Sequence, residues 1–242
     1  MFKQGGAKNH LVAAPDCLVS LTSTDVVNSF TGCAGQRCMA ASVLLVVGDQ
    51  PLLIQEIVKK ASLITPGSGS GEMGPVIDQH SKSKIESYID QAVKDGAQIL
   101  LDGRVWSSSS SGFWIGPTVI LHKNKTDSCL HDEIFGPVLS ILQVETRDEA
   151  IEIENANPYG NAACIYTQSG ASSEWYLERF SAGMLGVNIG VPVPREPFSF
   201  GGINKSSFGD CDITGSGGIN FFTKRIKVTT KWVAPVEQGW MS

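Results

Sequence analysis

The chain has 242 residues, 42% of them apolar and 18% charged, with a formal net charge of −5. That length supports one large domain or two small ones with a real core, and the balance is that of an ordinary globular protein. It has no basic run or Lys/Arg stripe to suit a nucleic acid, no apolar stretch long enough to span a bilayer, and no secretory h-region in "MFKQGGAKNH".

Helical and strand patterns then alternate. Residues 23–32, "STDVVNSFTG", read as a short helix capped by Ser23, Thr24 or Asp25. "SVLLVVGD" is β-branched and continuous, as in a buried strand. "QPLLIQEIVKKAS" places Pro51 in a first helical turn and Leu53, Ile54, Ile57, Val58 and Ala61 on one face. "TPGSGSGEMGP" is a loop. "SKSKIESYIDQAVKDG" carries Ile85, Tyr88, Ile89, Ala92 and Val93 at helical spacing, with Gly96 as its stop and "AQILL" as the next strand. "WSSSSSG" is a low-complexity loop.

Strands follow at "FWIGPTVI" and "GPVLSILQV", then the acidic-start helix "RDEAIEIENA". "ACIYT" is a strand, "ASSEWYLERFSA" a helix and "GMLGVNIG" a strand. After a Pro- and Gly-rich stretch comes "INFFTKRIKVTTKW", whose tail alternates as a strand does. The alternation predicts an α/β domain with a largely parallel sheet flanked by helices.

Six cysteines, Cys17, Cys33, Cys38, Cys129, Cys164 and Cys211, form no CxxC pair and no Cys/His cluster, so no metal site is predicted. Scattered thiols without a secretion signal suit a reducing compartment, and the acceptor-like triplets at Asn124 and Asn204 read as chance matches. "GSGEMG" fits G-x-G-x-x-G but follows no clean strand, so it reads as a surface loop. His10, His80, His122 and His131 give no local dyad, and His80 and His131 read as solvated. Cys33 reads as a small packed hydrophobe. Cys38 lies in a loop opened by Gly35, beside Arg37, a setting that favours a thiolate. Locally, a nucleophile and a buried thiol both remain open there. Glu133 in "DEIFGPV" reads locally as a surface carboxylate before a strand.

The segments "GAKNH", "AGQRCMA", "MGPVI", "ILLDGR", "GPTVI", "EIFGPVL", "NPYGN", "VNIGVPVP", "SSF" and "TTKW" occur in this order. Together they resemble the aldehyde dehydrogenases, and within them the CoA-acylating methylmalonate-semialdehyde dehydrogenase subfamily, over residues 4–232. "GQRCMA" with "EIFGP" carries the superfamily likeness; "GAKNH" and "PVPREPFSF" carry the subfamily likeness.

The resemblance implies roles at matching positions. Cys38 would attack the aldehyde, NAD would take the hydride, and coenzyme A would accept the acyl group from a Cys38 thioester. The Cys38 main-chain N–H would belong to the oxyanion site. Glu133 and Phe135 would hold the nicotinamide ribose, Arg37 the substrate carboxylate, and Phe200 the wall of the aldehyde pocket. Gln4 stands where hydrolytic relatives place a Glu base; an amide cannot take water's proton, which fits transfer to coenzyme A. The subfamily usually has Asn there, so Gln4 is a mild departure.

The implied substrate is a small aldehyde bearing a carboxylate, methylmalonate or malonate semialdehyde, giving propionyl-CoA or acetyl-CoA with loss of carbon dioxide. The implied division is a catalytic domain over 1–220 and an oligomerisation arm and tail over 221–242, with the strand 226–232 pairing in a homo-oligomer or with a full-length subunit. Family enzymes are about twice as long, so the expectation is a chain without the N-terminal NAD-binding domain. Such relatives are mitochondrial in eukaryotes and cytoplasmic in bacteria. Two segments, "WSSSSSG" and "GGINKSSFGDCD", depart from the family pattern. The rival expectations are an inactive fragment, an interaction partner of a full-length enzyme, or a thiol acyl carrier or esterase working through Cys38 without NAD.

Overall fold

Seven strands build the central sheet: β1 (Asn9–Ala13), β2 (Ala41–Val47), β3 (Gln98–Leu101), β4 (Thr118–His122), β5 (Val138–Val144), β6 (Ala162–Tyr166) and β7 (Met184–Val187). The computed structural model describes residues 3–108, 112–209 and 214–233. Across the sheet the strands run β7-β6-β1-β2-β5-β4-β3, and every neighbouring pair is parallel except β3 with β4 at one edge. The predicted largely parallel sheet is therefore present. Its central strands are apolar on both faces, as a sheet covered on both sides requires.

Strand alternation divides the core. Leu11, Leu44 and Val46 meet Val26, Val27 and Phe30 of α1 (Val19–Thr31) and Leu53, Ile54, Ile57 and Ala61 of α2 (Pro51–Ser62). Their neighbours Val12, Val43, Leu45 and Val47 point to the other face. There they meet the rest of the helical cover. After α3 (Gln79–Lys94) and the single turn α4 (Ser128–His131), α5 (Arg147–Ala156) supplies Ala150 and Ile151, and α6 (Gly170–Leu177) supplies Tyr176. Helix α3 packs Ile85, Ile89 and Ala92 against Ile120 and Val138 in a third cluster. Val93, expected on that face, is exposed.

Helix boundaries follow local hydrogen bonding. α1 starts at Val19 rather than Ser23, and its N-cap, Leu18, offers no side-chain acceptor. Ser23 and Thr24 do not cap; their hydroxyls donate back to the Val19 and Ser20 carbonyls at 2.6 and 2.8 Å. Asp78 caps α3 by accepting from the Ser81 N–H at 2.7 Å, and Gly96 (φ +86°) provides the left-handed stop. The expected strand "FWIGPTVI" begins only at Thr118, because Pro117 has no N–H for a ladder. The "GSGEMG" segment, expected as a loop, is one only in part: its Glu72–Met73 forms a two-residue strand paired with Thr65–Pro66.

Near the carboxyl end, "INFF" is not extended: it completes α7 (Gly215–Phe222). Residues 224–233, expected to include a strand, carry no ladder in the single chain. Parts of the "WSSSSSG" loop and of "GGINKSSFGDCD", Cys211, and residues 234–242 of the expected tail lie outside the described residues. Among the described residues, no helix is long and apolar enough to cross a membrane.

Candidate active site

Four parallel strands begin side by side at one edge of the sheet, at Asn9, Ala41, Val138 and Ala162. The loop before β2 carries Cys38. It leaves α1 through a tight turn, Gly32–Gly35, in which Cys33 and Ala34 take φ of 53° and Gly35 takes φ of 69°. A Cβ at Gly35 would lie 2.1 Å from the Gly136 carbonyl oxygen, so the loop can approach the segment before β5 only with glycine there. The Ala40 N–H then donates to the Arg37 carbonyl at 3.0 Å, closing a four-residue turn with Cys38 in its second position. Cys38 is a free, exposed thiol, and of the two local readings the buried one is overturned. Cys33 is also exposed, not packed as expected, because its left-handed backbone turns it out of the helix end. Cys17, Cys129 and Cys164 are buried free thiols.

Two asparagines fix the turn. Asn9 and Asn161, both buried, donate their Nδ2 groups to the same Cys38 carbonyl oxygen at 2.8 and 2.9 Å. Asn9 also donates to the Ala40 carbonyl at 2.9 Å and accepts from the Ala162 N–H at 3.1 Å, so it ties β1, β2 and β6 together. The sequence reading gave neither residue a role, although they stand in "GAKNH" and "NPYGN". The available signal was a polar side chain at the mouth of an apolar strand.

Arg37 turns toward the end of α1. Its Nη2 donates to the Asn28 and Ser29 carbonyls at 3.1 and 2.8 Å, where a cation also suits the helix dipole. Among the described residues its buried Nε has no hydrogen-bond partner, and Nη1 takes no part in that helix cap. The guanidinium is thus partly committed to the scaffold rather than wholly presented to a substrate.

Glu133 is half-buried rather than a surface carboxylate. Its Oε1 accepts from the Ala7 N–H at 3.0 Å, and its carbonyl accepts from Lys84 Nζ at 2.8 Å. Phe135 is 43% exposed with φ of 60°. Cys38, Arg37, Glu133 and Phe135 line one narrow cleft of about 20 Å³, together with Asn9 and Gly136. Phe200 packs partly buried against the cluster of Met39, Ala162 and Met184, of which Met39 is the neighbour of Cys38. Gln4 is exposed on a two-residue strand paired with Ser207. His80 and His131 are exposed as expected, while His10 and His122 are buried, and no histidine lines the cleft. Burial pushes the His10 ring down to about 3.

The group that the sequence implies here is a dinucleotide with a ribose to anchor. Glu133 has one carboxylate oxygen accepting from a backbone N–H, and Phe135 presents an exposed ring in the same cleft. These side chains fit a sugar hydroxyl pair and an apolar ring.

The aldehyde dehydrogenase family model matches residues 3–228. Malonate-semialdehyde dehydrogenase 2 of Bacillus thuringiensis (strain Al Hakam) is 42% identical over 234 residues, covering 94% of this chain and 48% of that protein. The namesake from Geobacillus kaustophilus is 40% identical over 232 residues, with the same coverage. Among solved structures, methylmalonate-semialdehyde dehydrogenase (DddC) from Oceanimonas doudoroffii superposes with a TM-score of 0.92 at 35% identity, covering 96% of this chain and 49% of that one. A protein of Sinorhizobium meliloti 1021, solved with NAD, gives 0.92 at 32% identity, covering 97% of this chain and 49% of that one. The chain spans about half the length of the curated relatives it matches.

Proposed function

The chain belongs to the aldehyde dehydrogenase family, and from that premise we propose that it is the catalytic half of a CoA-acylating semialdehyde dehydrogenase. The observation that carries this is an exposed Cys38 sharing one cleft with Glu133 and Phe135. The Cys38 thiolate bonds to the aldehyde carbon. The negative charge that develops on the aldehyde oxygen meets the Cys38 main-chain N–H. NAD, when bound, supplies the hydride acceptor. Glu133 would hold the ribose hydroxyls of that group, and Phe135 would offer it an apolar ring in the same cleft.

The resulting Cys38 thioester is released by the thiol of coenzyme A, whose acyl–sulfur bond replaces the one to Cys38. Gln4 accounts for the choice of acceptor, since its amide cannot draw a proton from water. Arg37, held on α1 by Nη2, pairs its guanidinium with the substrate carboxylate in this reading. Phe200, through Met39, sets the apolar wall of the pocket. The substrates of this reading are malonate and methylmalonate semialdehyde, whose carboxylate leaves as carbon dioxide. A second reading, association through the tail with another copy or a longer homologue, draws on Ile226, Val228 and Trp232, all more than three-quarters exposed.

The test is NADH absorbance from the purified chain with malonate semialdehyde, NAD and coenzyme A, beside Cys38→Ala. NADH formation that needs both Cys38 and coenzyme A is the expected result. Equal NADH from Cys38→Ala would reject the assigned nucleophile.

A further inference from the structure

The peptide between Cys38 and Met39 is the central peptide of a tight turn, and that is the unit of a β-turn that flips most readily between turn types. Here its oxygen cannot leave. A carbonyl oxygen has two lone pairs, and both are taken, by Asn9 Nδ2 at 2.8 Å and Asn161 Nδ2 at 2.9 Å. Each amide is itself fixed. Asn9 holds the Ala40 carbonyl and the Ala162 N–H, and Asn161 Nδ2 lies 3.1 Å from Met39 Sδ. The two side chains come from neighbouring strands of the rigid sheet, at the start of β1 and just before β6.

We propose that Asn9 and Asn161 form a carbonyl clamp and are positioning residues for the Cys38 nucleophile. The clamp holds the Cys38 carbonyl toward the sheet, which keeps a partial negative charge from swinging toward the thiol and the oxygen of a bound aldehyde. It also sets ψ of Cys38, and with it the path of the chain from nucleophile to β2. Because peptide groups are trans and planar, the Met39 N–H is turned to the side away from the two asparagines. Asn9 and Asn161 act through Cys38 and need not touch the substrate. The inference rests on Cys38 as the nucleophile, but its test reads the thiol directly and does not require NAD turnover.

The experiment is alkylation of the 242-residue chain by iodoacetamide, followed by peptide mapping of Cys38 against Cys33. Cys33 is exposed on the same loop and outside the clamp, so loosening of the whole loop moves both thiols. Asn9→Ala and Asn161→Ala should each lower the Cys38-to-Cys33 rate ratio by about two- to tenfold, the worth of one neutral hydrogen bond. Asn161→Asp keeps the shape but faces the carbonyl with oxygen, so it should lose more than Asn161→Ala; a packing role would leave it near the unmutated chain. The Cys38 carbonyl 13C resonance should move upfield in Asn161→Ala while that of Cys33 stays. Should Asn9→Ala fail to fold, the Asn161 pair decides. An unchanged ratio in folded Asn161→Ala, an Asn161→Asp that reacts like the parent, or a slower Cys38 with an unmoved resonance would each overturn the proposal. Absence of NADH formation by the parent chain, with the ratio falling in the variants as expected, would count against the enzymatic reading instead.

Discussion

Lys8 brings an ammonium into the interior with no hydrogen-bond partner among the described residues; it is 1% exposed. Burial pulls its pKa down to about 8, against the pull of Cys129, Asp132 and Glu133 in the other direction. The unfolded chain keeps this proton up to about 10.5. Between about pH 8 and 10.5 the unfolded state therefore binds more protons, and the contribution of Lys8 to stability rises with pH. Below pH 8 both states carry the charge and the folded state bears its desolvation. Lys8→Met should then stabilise the chain at pH 7 by on the order of 1–3 kcal/mol, with the gain shrinking toward pH 10, as read by urea unfolding at both values. A Met variant less stable at pH 7 would mean that attraction to Asp132 and Glu133 outweighs burial. Residue chemistry of this kind is poorly visible in sequence. Cys38, Glu133 and Phe135 were legible through the family motifs, whereas the Arg37–α1 bonds, the exposure of Cys33 and the Asn9–Asn161 clamp depend on contacts between distant segments.

Helix α5 matches its expected span, residues 147–156, because its signals are local. Thr146 accepts from the Glu149 N–H at 3.1 Å, while Glu149 reaches back to the Glu145 N–H at 2.8 Å. This reciprocal pair satisfies one open N–H of the first turn, that of Glu149, and ties down the N–H of the residue before the cap. Thr146→Ala should cost about 1 kcal/mol in urea unfolding and leave Cys38 alkylation unchanged, since α5 packs Ala150 and Ile151 on the sheet rather than on the nucleophile loop. A change in alkylation rate would show that α5 is coupled to that loop. Elements with weaker local signals were read less well. β1 is hard to see in the sequence because it has only five residues, "NHLVA", and two of the five are polar. Those two, Asn9 and His10, are buried by tertiary contacts, with Asn9 bonded across the sheet, which no periodicity reports.

At the scale of the whole molecule, alternating helices and strands predict a parallel sheet but not which of its edges carries the site. In open α/β sheets ligands generally sit at the carboxyl ends of the strands; here Cys38, Asn9 and Glu133 gather at the amino ends. The ordered motifs, not the architecture, point to Cys38 and Glu133, while Asn9 emerges only from the structure. The tail poses the complementary case. Residues 226–232 alternate as a strand does, yet a strand is stable only with a neighbour to complete its ladder, and the single chain supplies none to residues 224–233. Trp232, 91% exposed, is the kind of side chain that association buries. A chain ending at Thr223 keeps all seven strands of the sheet and α1 through α7. Its thermal midpoint should stay within about 2–4 °C of the parent, the effect of roughly 1 kcal/mol at this size. Sedimentation over a range of concentrations should show the full chain associating and the shortened one remaining monomeric. Equal association by both chains would move the contact off the tail, and a monomeric full chain would reject self-association through it.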